Sequence, residues 1–152
     1  MFFNWSFLAS IIGIVGGLLG AVFHHVLHFV THVRGEHTWL IFLLPVGGLL
    51  TVAIYRRFHM QANKGTNEII EATLDGHPVR PMVAPSIFLA TSITHLFGGS
   101  AGREGAALQL GGSMASALAK WFDLKEDNRK VLVMAGMSAV FAGLFGTPLT
   151  AA

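Results

Sequence analysis

The sequence has no cysteine, a single tyrosine and little charge. Without cysteine there is no disulfide framework and no thiolate metal site. Charged residues make up 12% of the chain, against about 25% in ordinary soluble domains. That deficit argues against a soluble domain. The net charge of +2 gives no electrostatic case for a nucleic-acid partner. A basic leader is also missing: the first Lys or Arg is Arg34, and the apolar run before it is too long for a signal peptide. Neither a P-loop nor a dinucleotide fingerprint is present, because the glycines at Gly99, Gly102 and Gly105 fit neither spacing. No Ser-His-Asp, paired-acid or zinc-hydrolase pattern appears. An enzyme and a bound cofactor are therefore not expected.

What fills the chain is apolar. Of 152 residues 53% are hydrophobic, with 18 glycines and 12 phenylalanines. Four long stretches, 1–33, 38–55, 81–102 and 131–152, carry no Asp, Glu, Lys or Arg. A spanning helix needs about 20 apolar residues, and the first stretch is long enough to cross with tilt. The short linker Arg34–His37 makes the first two segments a helical hairpin over 1–58. Arg56, Arg57, Lys64 and Arg80 fall in the next connection, which the positive-inside rule assigns to the cytoplasm. The N-terminus is then cytoplasmic and Arg34–His37 is outside.

Beyond Arg80 the pattern becomes irregular. Pro81, Pro85 and Pro148 punctuate apolar runs, and glycines interrupt what would otherwise be one long helix. The run 105–119 is apolar but too short to cross squarely. Short, glycine-broken segments are the mark of transporter helices that start or stop inside the membrane. The chain ends in "GLFGTPLTAA", with no charged stop, and reads as the N-terminal portion of a larger domain. The expected fold is all-α: a multi-pass protein of the cell membrane, built from tilted and broken helices in contact with lipid.

The stretch "FGGSAGREGAALQLGG" (97–112) sets Arg103 and Glu104 inside glycine-rich, apolar sequence. Small-xxx-small pairs such as Gly13/Gly17, Gly16/Gly20 and Gly98/Gly102 let helices approach closely. A structural membrane module would need no more than that. Packing does not explain Glu104, since an ionisable group at membrane depth costs ~2.5–3.5 kcal/mol. A loop over 98–105 that opens a helix through Gln109 explains it better. A helix N-terminus carries about +0.5 charge and bare N–H groups, which makes it an anion site. Glu104 there would compete with an anion when ionised and release the site when protonated.

The segment "GGSAGREGAALQLGGSMAS" resembles the signature of the CLC chloride channels and proton-coupled anion antiporters. "MAGMSAVFAGLFGTPLTA" is similar to the family's next helix pair, and "KGTNEIIEATLDGHPVRP" to its upstream anion-site segment, so that the resemblance runs from Lys64 onwards. It implies transport of chloride or another halide by a channel or a proton-coupled antiporter, with fluoride/proton antiport as the alternative, a homodimer, and anion-pathway helices over 64–152. Glu104 matches the external gating glutamate, and Gly102, Arg103 and Gly105 match their motif positions. Two positions depart from the pattern. The family's proline is Ala106, and its anion-coordinating serine falls on Gly65, followed by Thr66, Asn67 and Glu68. Gly65 has no hydroxyl, so Thr66 or Asn67 would have to supply a polar donor. Both departures also occur in the family's fluoride-exporting branch.

His24, His28 and His32 recur every fourth residue with Glu36 placed in the linker, and read as a polar stripe rather than a metal site. His95 is expected to bond to a neighbouring helix. Glu71 and Asp75 are read as solvated, and 120–130 as a mixed-charge loop at the membrane surface.

Overall fold

The computed structural model describes residues 2–60, 64–75 and 77–151. It is all-helical, with no strand among those residues. Helix α1 covers Phe2–Glu36, a 3-10 segment Thr38–Leu43, α2 Leu44–Arg57, α3 Thr66–Asp75, α4 Val83–Leu96, α5 Arg103–Trp121, α6 Glu126–Phe145 and α7 Pro148–Ala151.

Helix α1 is long because nothing stops it: the first proline is Pro45. It runs through Glu36, so the Arg34–His37 linker shrinks to His37, whose N–H still reaches the Val33 carbonyl at 3.0 Å. The second apolar stretch then divides into the 3-10 segment and α2, with Pro45 in the first helical turn, where its missing N–H costs nothing. The stretch 81–102 yields only the 14 residues of α4, about 21 Å at 1.5 Å per residue and too short to cross a bilayer. The last stretch breaks at Gly146, which caps α6 in the left-handed conformation, before Pro148 opens α7. Among the described residues, Trp5–Glu36 and Thr38–Arg57 are the two segments long and apolar enough to span, and both leave most of their side chains on the surface.

Three helices end alike. Behind α2, α4 and α5 the chain turns left-handed at His59, Gly98 and Asp123, with φ of 54°, 80° and 49°. The next N–H then bonds back over the last turn: Met60 to Tyr55, Gly99 to Thr94 and Leu124 to Ala119, at 2.7, 2.8 and 3.0 Å. This closing motif satisfies carbonyls that a helix end would leave bare.

Helix α5 is the centre. It packs against α6, α4, α3 and α1, while α1 lies mainly along α6 and α4, and α2 along α4. Glycines set the spacing. A Cβ on Gly111 would strike the Gly136 carbonyl, and one on Gly20 or Gly143 would lie 2.5 or 2.6 Å from the carbonyl of Val140 or Gly17. Gly16 faces Ala139 in the same seam, whereas Gly13 faces open space. The Gly98/Gly102 spacing is not a helix-packing pair, because both glycines lie outside the helices.

Candidate functional site: two helix starts at Thr66 and Gly105

The loop leading into α5 is shaped by its neighbours. Gly98 needs its positive φ, and a Cβ there would lie 3.0 Å from Nε of Arg34. Arg34, in the last turn of α1, thus packs onto the loop, with its Nε buried and bonded to nothing in the structure. Gly102, extended at φ −69° and ψ 129°, is the N-cap, and no side chain caps the helix start. The first N–H groups of α5 are therefore left to whatever lies beyond the helix.

Arg103 and Glu104 are both exposed in the first turn. Neither forms an ion pair among the described residues. Gly105 follows, and a Cβ on it would lie 3.0 Å from the Thr66 hydroxyl. Ala106 is buried behind it, with an N–H where a proline would have none. One turn on, the Gln109 amide donates to the Gly105 carbonyl at 3.2 Å, while its buried Oε1 has no partner in the structure.

Thr66 opens α3, preceded by Gly65 at φ +66°. The Glu68 N–H returns to the Gly65 carbonyl at 3.1 Å. Farther along, a Cβ on Gly112 would strike Ile69. Thr66 beside Gly105 and Ile69 beside Gly112 mean that α3 and α5 run in the same direction, with their N-termini adjacent. Two positive helix ends thus meet where one glycine leaves room. Of the residues singled out in the sequence, Gly65, Thr66, Gly102, Arg103, Glu104, Gly105 and Ala106 cluster around this meeting point. Asn67 is exposed in the first turn of α3. Sequence reasoning missed Arg34 and the orphaned Gln109 carbonyl. The only signal for Arg34 is that it is the first cation of the chain.

Other candidates settle differently. Glu36 is not in a linker but on α1, where its carboxylate lies 3.9 Å from His32 Nδ1 and extends the stripe by one step. Successive members lie a full turn apart along the helix, and among the described residues no group of three or more side chains gathers to hold a metal. His24 Nδ1 lies 3.1 Å from the Leu144 carbonyl on α6. His95 bonds to Thr91 of its own helix at 2.9 Å, not to a neighbour. The run 120–130 is mostly helix ends, with only 122–125 as turn. Glu71 is exposed but paired with Lys64 at 2.7 Å, and this holds the Lys64 ammonium above its ordinary pKa.

Among the described residues the scaffold combines two apolar segments of bilayer length with two adjoining helix starts. Residues 47–152 match the model of the voltage gated chloride channel family, and the chain belongs to that family, whose members are integral membrane channels and transporters rather than enzymes. Over 150 residues it is 39% identical to a chloride/fluoride channel protein of Pseudomonas syringae pv. tomato, covering 98% of this chain and 33% of the relative. An uncharacterized protein of Methanocaldococcus jannaschii is 25% identical over 146 residues, 96% of this chain and 35% of that one. Among solved structures, a CLC-type fluoride/proton antiporter superposes with a TM-score of 0.89 at 34% identity, over 99% of this chain and 39% of the other. The chain therefore spans about a third of the length of its curated relatives.

Proposed function

We propose that this chain supplies the gated half of an anion pathway in a multi-pass, homodimeric fluoride/proton antiporter of the cell membrane. In this reading, 1–58 forms the membrane hairpin and 64–152 the pathway helices. The observation that carries the reading is the junction of the α3 and α5 starts at Thr66 and Gly105, with the Glu104 carboxylate in the same uncapped turn. Bare N–H groups and two positive helix ends attract a small anion. Ionised Glu104 competes for that place, and protonated Glu104 gives it up. Anion movement is thereby tied to proton uptake. Gly102 and Gly105 keep side chains away from the ion's approach, and Arg103 adds positive potential. With Gly65 lacking a hydroxyl, Thr66 is the nearest polar donor, and Asn67 offers a second. The fluoride reading is supported by Gly65 and Ala106 in place of the family's serine and proline, and by the names of the similar proteins; chloride is the alternative substrate.

Packing alone accounts for Gly16, Gly20, Gly111, Gly136 and Gly143, but not for an acid in an uncapped turn. The test is flux from liposomes carrying the full-length protein. Fluoride efflux should exceed chloride efflux at matched gradients and should drive proton uptake. Glu104→Gln should abolish the proton movement. Unchanged proton coupling in that variant removes Glu104 from the gate, and faster chloride than fluoride efflux returns the substrate to chloride.

A further inference from the structure

We propose that Arg80 is a positioning residue that holds a competing acid, Glu68, away from the anion junction. The inference rests on the reading of Thr66 and Gly105 as that junction, and it concerns the second acid beside it. Glu104 stands in the first turn of α5, and Glu68 is its counterpart in the first turn of α3.

Glu68 is the third residue of α3. From that position a glutamate folds back over its own helix start, where an N–H group and the positive end of the dipole attract it. An acid there would compete with the anion. Its side chain is only 19% exposed, so water and salt screen its charge weakly. In this structure the carboxylate turns to Arg80 instead. Oε1 accepts from Nε at 3.1 Å and Oε2 from Nη2 at 3.0 Å, a two-pronged grip that fixes direction as well as distance.

Arg80 can hold the acid because Arg80 is itself fixed. The Ser113 hydroxyl donates to its carbonyl at 3.0 Å, and the Ser116 hydroxyl accepts the N–H of neighbouring Val79 at 2.9 Å. Both serines are buried on α5. Nη1 donates to the His59 carbonyl, just beyond α2, at 3.1 Å. The anchor and the junction share one helix but not one place: Ser113 lies about 12 Å along α5 from Gly105 at 1.5 Å per residue. Arg80 thus draws the carboxylate along α5 and away from the helix starts. The two acids differ accordingly. Glu104 has no ion-pair partner among the described residues and is free to compete reversibly, whereas Glu68 is restrained.

The test measures fluoride efflux from liposomes carrying the full-length protein over a range of internal fluoride concentrations. Arg80→Gln releases the Glu68 carboxylate, and the half-saturating concentration should rise about fivefold, the scale of one charge at a helix end, with maximal flux little changed. Glu68→Gln should keep the wild-type value, and the double variant should return to it, because no competing charge remains. A plain brace between helices predicts the opposite: equal losses in both single variants and no recovery in the double variant. That pattern, or an unchanged value in Arg80→Gln, overturns the inference. If Arg80→Gln does not fold, Glu68→Gln decides alone: an unchanged value supports the inference and a raised one overturns it. Proton coupling in Glu104→Gln, measured in parallel, tests the gate separately, so that a failed gate and an idle Arg80 are told apart.

Discussion

The start and the middle of α5 are built on opposite rules. In its middle, Gly111 and Gly136 let α5 and α6 approach until a single added carbon would touch backbone. At its start, Gly102 faces open space, Arg103 and Glu104 are exposed, and no side chain caps the turn. One region spends its glycines on contact, and the other keeps room free. A motif count treats these glycines alike; their neighbours tell them apart.

The sharpest way to break the comparison is to fill the closed region. Gly136→Leu forces a branched side chain against Ala115 and the Gly111 carbonyl, where backbone cannot yield. Overpacking costs about 1–3 kcal/mol where side chains can shift and more where they cannot. The expected result is loss of monodisperse protein in size-exclusion chromatography. Gly102→Ala, in the open region, should fold normally.

Glu104→Gln should do the reverse. The carboxylate pairs with no charged side chain among the described residues, so the melting temperature should stay within about 2 °C, as for surface changes generally. Proton coupling in liposomes should vanish. A large fall in melting temperature would mean that the residue is structural and would erase the contrast.

Gly105→Val sits between the two regions. Its Cβ would meet the Thr66 hydroxyl at 3.0 Å, a contact that a side-chain rotation can relieve. A stability loss of about 1 kcal/mol is expected, with at least a tenfold fall in anion flux, because bulk replaces the free space beside the helix ends. Equal fractional losses of folded protein and of flux would show that the junction serves packing only.

The smallest effects lie in the ion pairs. Glu68→Gln removes the carboxylate that holds Arg80, and about 1 kcal/mol should be lost, since the pair is partly exposed. The pH dependence has a definite sign. The hydrogen-bonded Glu68 carboxylate raises the already high Arg80 pKa further, so Arg80 stays charged and its contribution should not vary between pH 5 and 9. Lys64, raised by Glu71, contributes fully below 10.5 and loses its contribution only as pH rises through the higher folded value. Both partners are exposed, however, so that contribution is close to nothing at any pH, and Lys64→Gln should leave the melting temperature unchanged at pH 7.

Much of this was legible in order of residues. A proline-free apolar run makes α1, and the change of pattern after Arg80 marks the short helices. The start of α5 could be placed because an acid beside glycines fits a helix N-terminus better than a helix interior. What was not legible depends on contacts distant in sequence. Nothing near Arg34 points to Gly98, and nothing near Thr66 points to Gly105. The closing turns at His59 and Asp123 were hidden for another reason: the left-handed residue there is not glycine, so the usual stop signal is missing. Glu36 reads as linker because a charged cluster suggests a helix end, although the terminal turn of α1 holds it well.

One consequence of the parallel course of α3 and α5 concerns the economy of the fold itself. Helices that run side by side in the same direction place like poles together, so their starts repel each other. Each start carries an acid in its first turn, Glu68 and Glu104, which offsets part of that repulsion, and a negative guest would offset more of it. A guest that binds only the folded state stabilises it by RT ln(1 + [L]/Kd), about 2.7 kcal/mol at a hundredfold excess over Kd. If the junction takes an anion as proposed, ligand and fold are thermodynamically linked: an ion held there also stabilises the two adjoining helix starts.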